Sequence, residues 1–163
     1  MPTTPETILQ GAYALTRPAL VAELRAQGHH LTGALESSLT PQVKGETLDV
    51  VAFAYLQKLE QGVAAGQIQI NSAALAEMTR YVELRMGYQG RKAAQVALLI
   101  LQKQAEEGNP TKGSYDFSQT GERTGAIEAT FRKLGPQLDT YMDDGIDQMV
   151  EDAFSNEDLN TEF

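Results

Sequence analysis

Cysteine and tryptophan are absent, histidine occurs only as the neighbouring pair His29 and His30, and no base follows residue 134. Each absence removes a class of protein. Without thiols there is no disulfide framework, no thiolate metal site and no cysteine nucleophile, which suits a reducing compartment. Two adjacent histidines cannot share one helix face at ligand spacing, and no carboxylate close in sequence completes a site around them. A membrane helix would need about eighteen consecutive apolar residues, which the chain does not contain. The N-terminal MPTTPETILQ lacks the basic-then-apolar order of a secretory leader. Synthesis in the cytoplasm, with no membrane partner, is the expectation.

What is present fits a globular α+β chain. The 163 residues, 42% of them hydrophobic, predict one domain over residues 1–156 followed by an acidic tail over 157–163 that is mobile until a partner is met. The net charge of −9 is placed unevenly. Residues 1–134 hold all 13 Lys and Arg and 13 of the 22 Asp and Glu, so their charges cancel. The other nine acids, from Asp139 to Glu162, lie in residues 135–163 with no base among them. Such a block repels phosphate and argues against a nucleic-acid-binding tail.

Apolar periodicity predicts a first helix from Glu6 to Gln27, kinked or split at Pro18 and ended by Gly28 in a left-handed conformation. The stretch around Pro41 and the Lys44-Gly45 turn, followed by ETLDVVAFAY, predicts a two- or three-stranded antiparallel element. LQKLEQGVAAGQIQI reads as a short helical or bulged segment ending at Gly62 and Gly66, with QIQI a candidate further strand. Asn71 or Ser72 caps a helix to about Met86, and a strongly apolar helix runs from Arg91 to Glu107. The fold expected is thus an antiparallel hairpin or small sheet packed by a long N-terminal helix, with a helix-rich C-terminal half.

Two near-motifs invite a catalytic reading and do not sustain it. Tyr141-Met142-Asp143-Asp144 spells the metal-binding signature of reverse transcriptases, yet it falls within a helical stripe running Ile127, Phe131, Leu134, Leu138, Met142, Ile146, Met149 and Ala153. The polymerase signature requires a tight β-hairpin, and a chain of this size cannot seat template, primer and nucleotide. Placing Gly145 at the sixth position of a calcium loop puts Glu151 correctly at the twelfth, but sets Thr140 and Met142 where carboxylate or amide ligands belong. Gly108 and Gly113 have the spacing of a phosphate-binding loop, but Ser114 stands where its lysine should be, and a helix precedes the loop rather than a strand. No serine elbow or acid/base pair is visible. No catalytic, cofactor or metal residue is therefore assigned, and no cofactor is expected.

Two features remain. Asp143, Asp147 and Glu151 repeat at four-residue spacing, where like charges on a helix each cost a few tenths of a kcal/mol. Together with Asp144 they form an acidic cluster that is expected to face a channel or a basic partner surface. The Gly-, Ser- and Thr-rich stretch 107–125 predicts a long loop, and its Tyr115, Phe117 and Arg123 have the composition of an interface anchor.

The order of an amphipathic helix, GHHLTGALESSL, a β-hairpin and AYLQKLEQGV resembles the neck or tail-completion proteins of long-tailed double-stranded DNA bacteriophages. The likeness rests on Thr32, Gly33, Leu35, Ser38 and Leu39, then on Tyr55, Glu60 and Gly62, and covers roughly residues 6–70. The helices between Ser72 and Glu107 exceed the loop usual there. The resemblance implies a non-enzymatic virion protein, synthesised in the host cytoplasm. It would form a homo-oligomeric ring of six or twelve copies that joins the portal or adaptor ring to tail proteins and lines the path of DNA ejection. Genomic DNA would pass without specific binding. The alternative is a small acidic regulatory protein that binds a basic or nucleic-acid-binding partner.

Overall fold

The structure, a computed structural model, describes residues 3–30 and 32–157. It is a helix-rich α+β chain: α1 (Pro5–Ala26), α2 (Ala34–Ser38), β1 (Thr40–Lys44), β2 (Thr47–Val51), α3 (Tyr55–Gln61), α4 (Ser72–Met86), α5 (Gly90–Glu107), a 3-10 helix (Lys112–Phe117) and α6 (Ala126–Glu157). Of the tail expected over 157–163, residues 158–163 lie outside the described residues. No helix among the described residues is long and apolar enough to cross a membrane. The chain divides into two compact units, the first comprising Met1–Glu23, Leu35–Phe53 and Ile127–Phe163, the second Leu24–Ala34 and Ala54–Ala126.

The first unit is organised by α1 against α6. Ile8, Ala12 and Leu20 are buried at helical spacing on α1, and the two helices approach through glycines. A Cβ at Gly145 would stand 3.0 Å from Ile8 Cγ1, and one at Gly11 would overlap the Tyr141 hydroxyl. Each glycine therefore leaves the room that a large side chain of the facing helix fills. Polar ties add to this contact. Lys133 Nζ donates to the buried Glu23 carboxylate at 2.5 Å, and the Thr3 amide donates to Asp152 at 2.6 Å. The Thr3 amide is the main cause holding the Asp152 carboxyl below its ordinary value.

Neither internal proline splits its helix: α1 runs through Pro18, and α6 runs through Pro136 for 32 residues. Proline removes the bond to the carbonyl four residues earlier, here those of Ala14 and Arg132. Both prolines and both of those residues are exposed, so water can replace the lost donor. Gly135 also helps, because a side chain before proline disfavours the helical conformation and glycine carries none. The face that α6 buries is offset from the expected stripe. Ala126, Ala129 and Thr130 are buried and Leu134, Leu138, Met142 and Met149 half-buried, whereas Phe131 and Ile146 are 47% and 45% exposed. Thr130 and Gly145 lie on the inner side, which is why a count of apolar letters misplaced its edges.

The antiparallel hairpin pairs Thr40 with Val51 through to Lys44 with Thr47, so a two-residue Gly45-Glu46 connection closes it. Gly45, with φ +61°, occupies the first central position, which a type II′ turn reserves for glycine. Tyr13 Oη donates to the Leu39 carbonyl at 2.8 Å, and Leu39 is 3% exposed, so the entry to β1 is fixed on α1. Beyond it both strand faces are largely exposed, including Val50 and Val51.

In the second unit, Gly28 takes the left-handed conformation that ends α1, at φ +80°. Asn71 caps α4 by accepting from the Ala74 amide at 2.9 Å. The helices α4 and α5 meet over Val82, Ala93 and Ala97, all at 0% exposure, with Leu75, Met78, Val96 and Ile100 around them. Two alanines at the contact allow close helix packing. The strand expected at QIQI is not formed: Gln67–Ile70 pair with no strand among the described residues. Only Val63 makes a bridge, with Asn109, and Gly66 then turns the chain by donating to Ala105 O at 2.9 Å.

Candidate functional site

The residues 108–125 form a connection that is fastened along its length. Val63 and Asn109 exchange backbone bonds of 2.7 and 2.8 Å, Gln119 N donates to Ala26 O at 2.8 Å, and Gly125 N donates to Glu60 O at 3.0 Å. The side chains expected to anchor a partner divide into two groups. Tyr115 and Phe117 are 42% and 58% exposed on the 3-10 helix. Arg123 turns inward, its Nη1 donating to Gln27 O at 2.5 Å while its carbonyl meets His29 Nε2 at 3.1 Å. A Cβ on Gly28 would lie 2.5 Å from Arg123 Nη1 and 2.6 Å from Phe117 O, so only glycine leaves room for this crossing.

Burial is the first cause of the shifts in this cluster, and the nearby Arg123 charge the second for His29. Together they lower His29 to about 4, so the ring is neutral at pH 7 and donates from Nε2 to the Arg123 carbonyl. Desolvation also holds Arg123 below its ordinary value and pushes the Tyr55 phenol up, with Tyr81 adding to the latter. His30 remains exposed, and its carbonyl accepts from Arg85 Nη1 at 3.3 Å. The His29 ring thus holds backbone geometry, whereas His30 takes part through its own carbonyl.

The Tyr141–Asp144 signature lies within α6, where adjacent aspartates point to different sides of a helix rather than toward one metal. Thr140 to Glu151 are also helical, so there is no calcium loop. Among the described residues no three His, Cys, Asp or Glu side chains gather as a metal site. Gly108 packs onto the carbonyl of Val63, and Gly113 opens into a 3-10 turn, so the two glycines form no phosphate cradle.

Asp143, Asp144, Asp147 and Glu151 are all exposed. Ile146, Val150 and Phe154, at 45%, 44% and 67% exposure, run beside the acids on the same side of α6. This side of the helix is both acidic and apolar. A second surface presents Arg80, Arg85 and Lys92 with Glu83 at its edge, a small positive excess. Along α4, Arg80, Tyr81, Leu84, Arg85 and, just past its end, Tyr88 are exposed at three- and four-residue intervals, and Lys92 Nζ lies 4.3 Å from the Tyr88 ring centroid. Beside it an open groove of about 670 Å³ is lined by Leu75, Thr79, Arg80, Glu83, Leu84 and Ala94. The sequence marks this helix only by its cap and extent, and its buried Val82 with the partly buried Leu75 and Met78 are spaced as in any amphipathic helix. The signal that could have marked it is the Arg80/Leu84 and Tyr81/Arg85 pairing at four-residue steps.

The charge difference extends to the compact units. The first contains 4 Lys and Arg against 15 Asp and Glu, a net −11, and the second contains 9 against 7, a net +2. Compared with known proteins, the chain matches no family model, no curated protein and no solved structure.

Proposed function

We propose that this chain is a structural subunit of a tailed-bacteriophage neck, assembling as a ring that joins the portal or adaptor to the tail and borders the DNA exit path. The observation that carries this proposal is the segregation of charge, −11 against +2, with an exposed acid ladder on α6. A subunit beside passing DNA needs a surface that does not hold phosphate, and acids repeated around a ring repel it strongly. The ladder costs the isolated helix stability, which is consistent with selection for a task outside the subunit. Exposed Tyr115 and Phe117 on a fastened connection suit contact with a neighbouring ring, since rigid aromatics lose little entropy on burial.

A small acidic regulator, the competing class, would spread its acids over the whole fold, and the second unit carries a net positive charge instead. The test is electron microscopy of the purified chain, alone and mixed with portal and adaptor proteins. Closed rings of six or twelve copies with an axial channel, and no retention of duplex DNA, are expected. A chain that remains monomeric under all these conditions, or that turns over a nucleotide, overturns the proposal.

A further inference from the structure

We infer that the exposed face of α4 and the groove beside it receive the acidic and apolar face of α6 from a second copy of this chain. The inference rests on the ring proposed above, for which it names the contact between neighbouring subunits. Both faces are open, and the α4 face is the shorter of the two. The α4 face extends from Arg80 to Tyr88 and the α6 face from Asp143 to Phe154, which at about 1.5 Å per residue are roughly 12 and 17 Å long. Their chemistries are complementary. One offers Arg80 and Arg85 around Leu84 and Tyr81, the other Asp143, Asp147 and Glu151 around Ile146, Val150 and Phe154.

Each face carries neighbouring exposed apolar side chains, Tyr81, Leu84 and Tyr88 on one and Ile146, Val150 and Phe154 on the other, which a partner would cover. A generic apolar partner would leave the carboxylates facing no cation, and a polyanion would be repelled by them. The α4 face meets both needs at once, because leucine and tyrosine can cover the Ile146, Val150 and Phe154 ridge while the arginines meet the acids. The two surfaces differ, and a contact between copies that is not reciprocated within one pair is head-to-tail. Such contacts repeat until they close into a ring or extend as a filament. Self-association by this route needs no other protein.

The absence of cysteine provides a direct test. Full-length Leu84→Cys and Val150→Cys chains are mixed and oxidised, with Gln102→Cys on an exposed part of α5 replacing Leu84→Cys as the control. A covalent pair containing one of each is expected, in excess of that formed by the control. In parallel, Arg80→Glu and Asp147→Lys should each weaken self-association about tenfold by light scattering, and an equimolar mixture should recover most of the loss. Circular dichroism and melting temperature establish that each variant is folded. A wild type that associates while the cross-link is no better than the control and the charge reversals change affinity less than twofold overturns this inference and leaves the ring standing. A wild type that never associates removes both.

Discussion

His29 and Gly11 show how single residues set the tolerances of this fold. Because the folded His29 binds its proton only near pH 4 while an unfolded histidine binds one near 6.5, the unfolded chain takes up more protons between these values. Stability attributable to His29 is therefore full above about pH 6.5 and is lost as the pH falls toward 4. Since water still reaches part of the ring, the loss is about 1–2 kcal/mol rather than the full shift. Urea denaturation at pH 7 and pH 4.5 should show a smaller drop for His29→Gln, whose amide can still donate to Arg123 O, than for wild type. Gly11 is the opposite case, in which nothing titrates and space decides. Alanine is favoured over glycine within a helix by about 1 kcal/mol, yet Gly11→Ala is expected to destabilise by about 1–3 kcal/mol because its methyl meets Tyr141. In a Tyr141→Ala background the same change should become neutral or stabilising, a coupling that a double-mutant cycle measures.

Among the elements, α6 carries a run of acids that repel one another along one side. Asp147 has like charges four residues away on both sides, Asp143 and Glu151, so replacing it with lysine converts two repulsions into two attractions. Asp147→Lys should raise the stability of the isolated subunit by about 0.5–1 kcal/mol in thermal melts at low salt, while reducing its assembly. The two effects having opposite sign is the useful result, since a merely tolerated surface would show the first alone. The elements were legible in the sequence where a local rule governed them. Asn71 before an apolar period fixed the start of α4, and Gly28 fixed the end of α1, because capping is decided within a few residues. Legibility failed where the outcome depended on distant neighbours. QIQI alternates like a strand but has no strand beside it among the described residues, and Pro18 looks like a break but lies on an exposed side of α1. Phe131 and Ile146 were placed on the buried stripe by spacing, although only the packing of α6 could show that Thr130 and Gly145 lie on the inner side.

For the whole molecule, opposite net charge on two compact units makes association sensitive to ionic strength, since exposed charges are screened beyond about 8 Å at physiological salt. Sedimentation should show weaker self-association at 500 mM than at about 50 mM salt, whereas an interface dominated by apolar burial would hold or strengthen. Of the candidate site, the acid ladder could be read from the sequence because charge is a matter of letters. The α4 face left only the four-residue pairing of Arg80 with Leu84 and Tyr81 with Arg85 as a trace, and that pairing gains meaning once Val82 and Ala97 are seen to be buried. The first unit is also discontinuous in the chain, with α1 at its beginning and α6 more than a hundred residues later. On the ribosome, Ile8 and Gly11 must therefore wait for Tyr141 and Gly145 to emerge, whereas α4 and α5 can pair as soon as they are made. Under the contact inferred above, the receiving face on α4 would be made before the donating face on α6, so a chain could offer both only once its synthesis is complete.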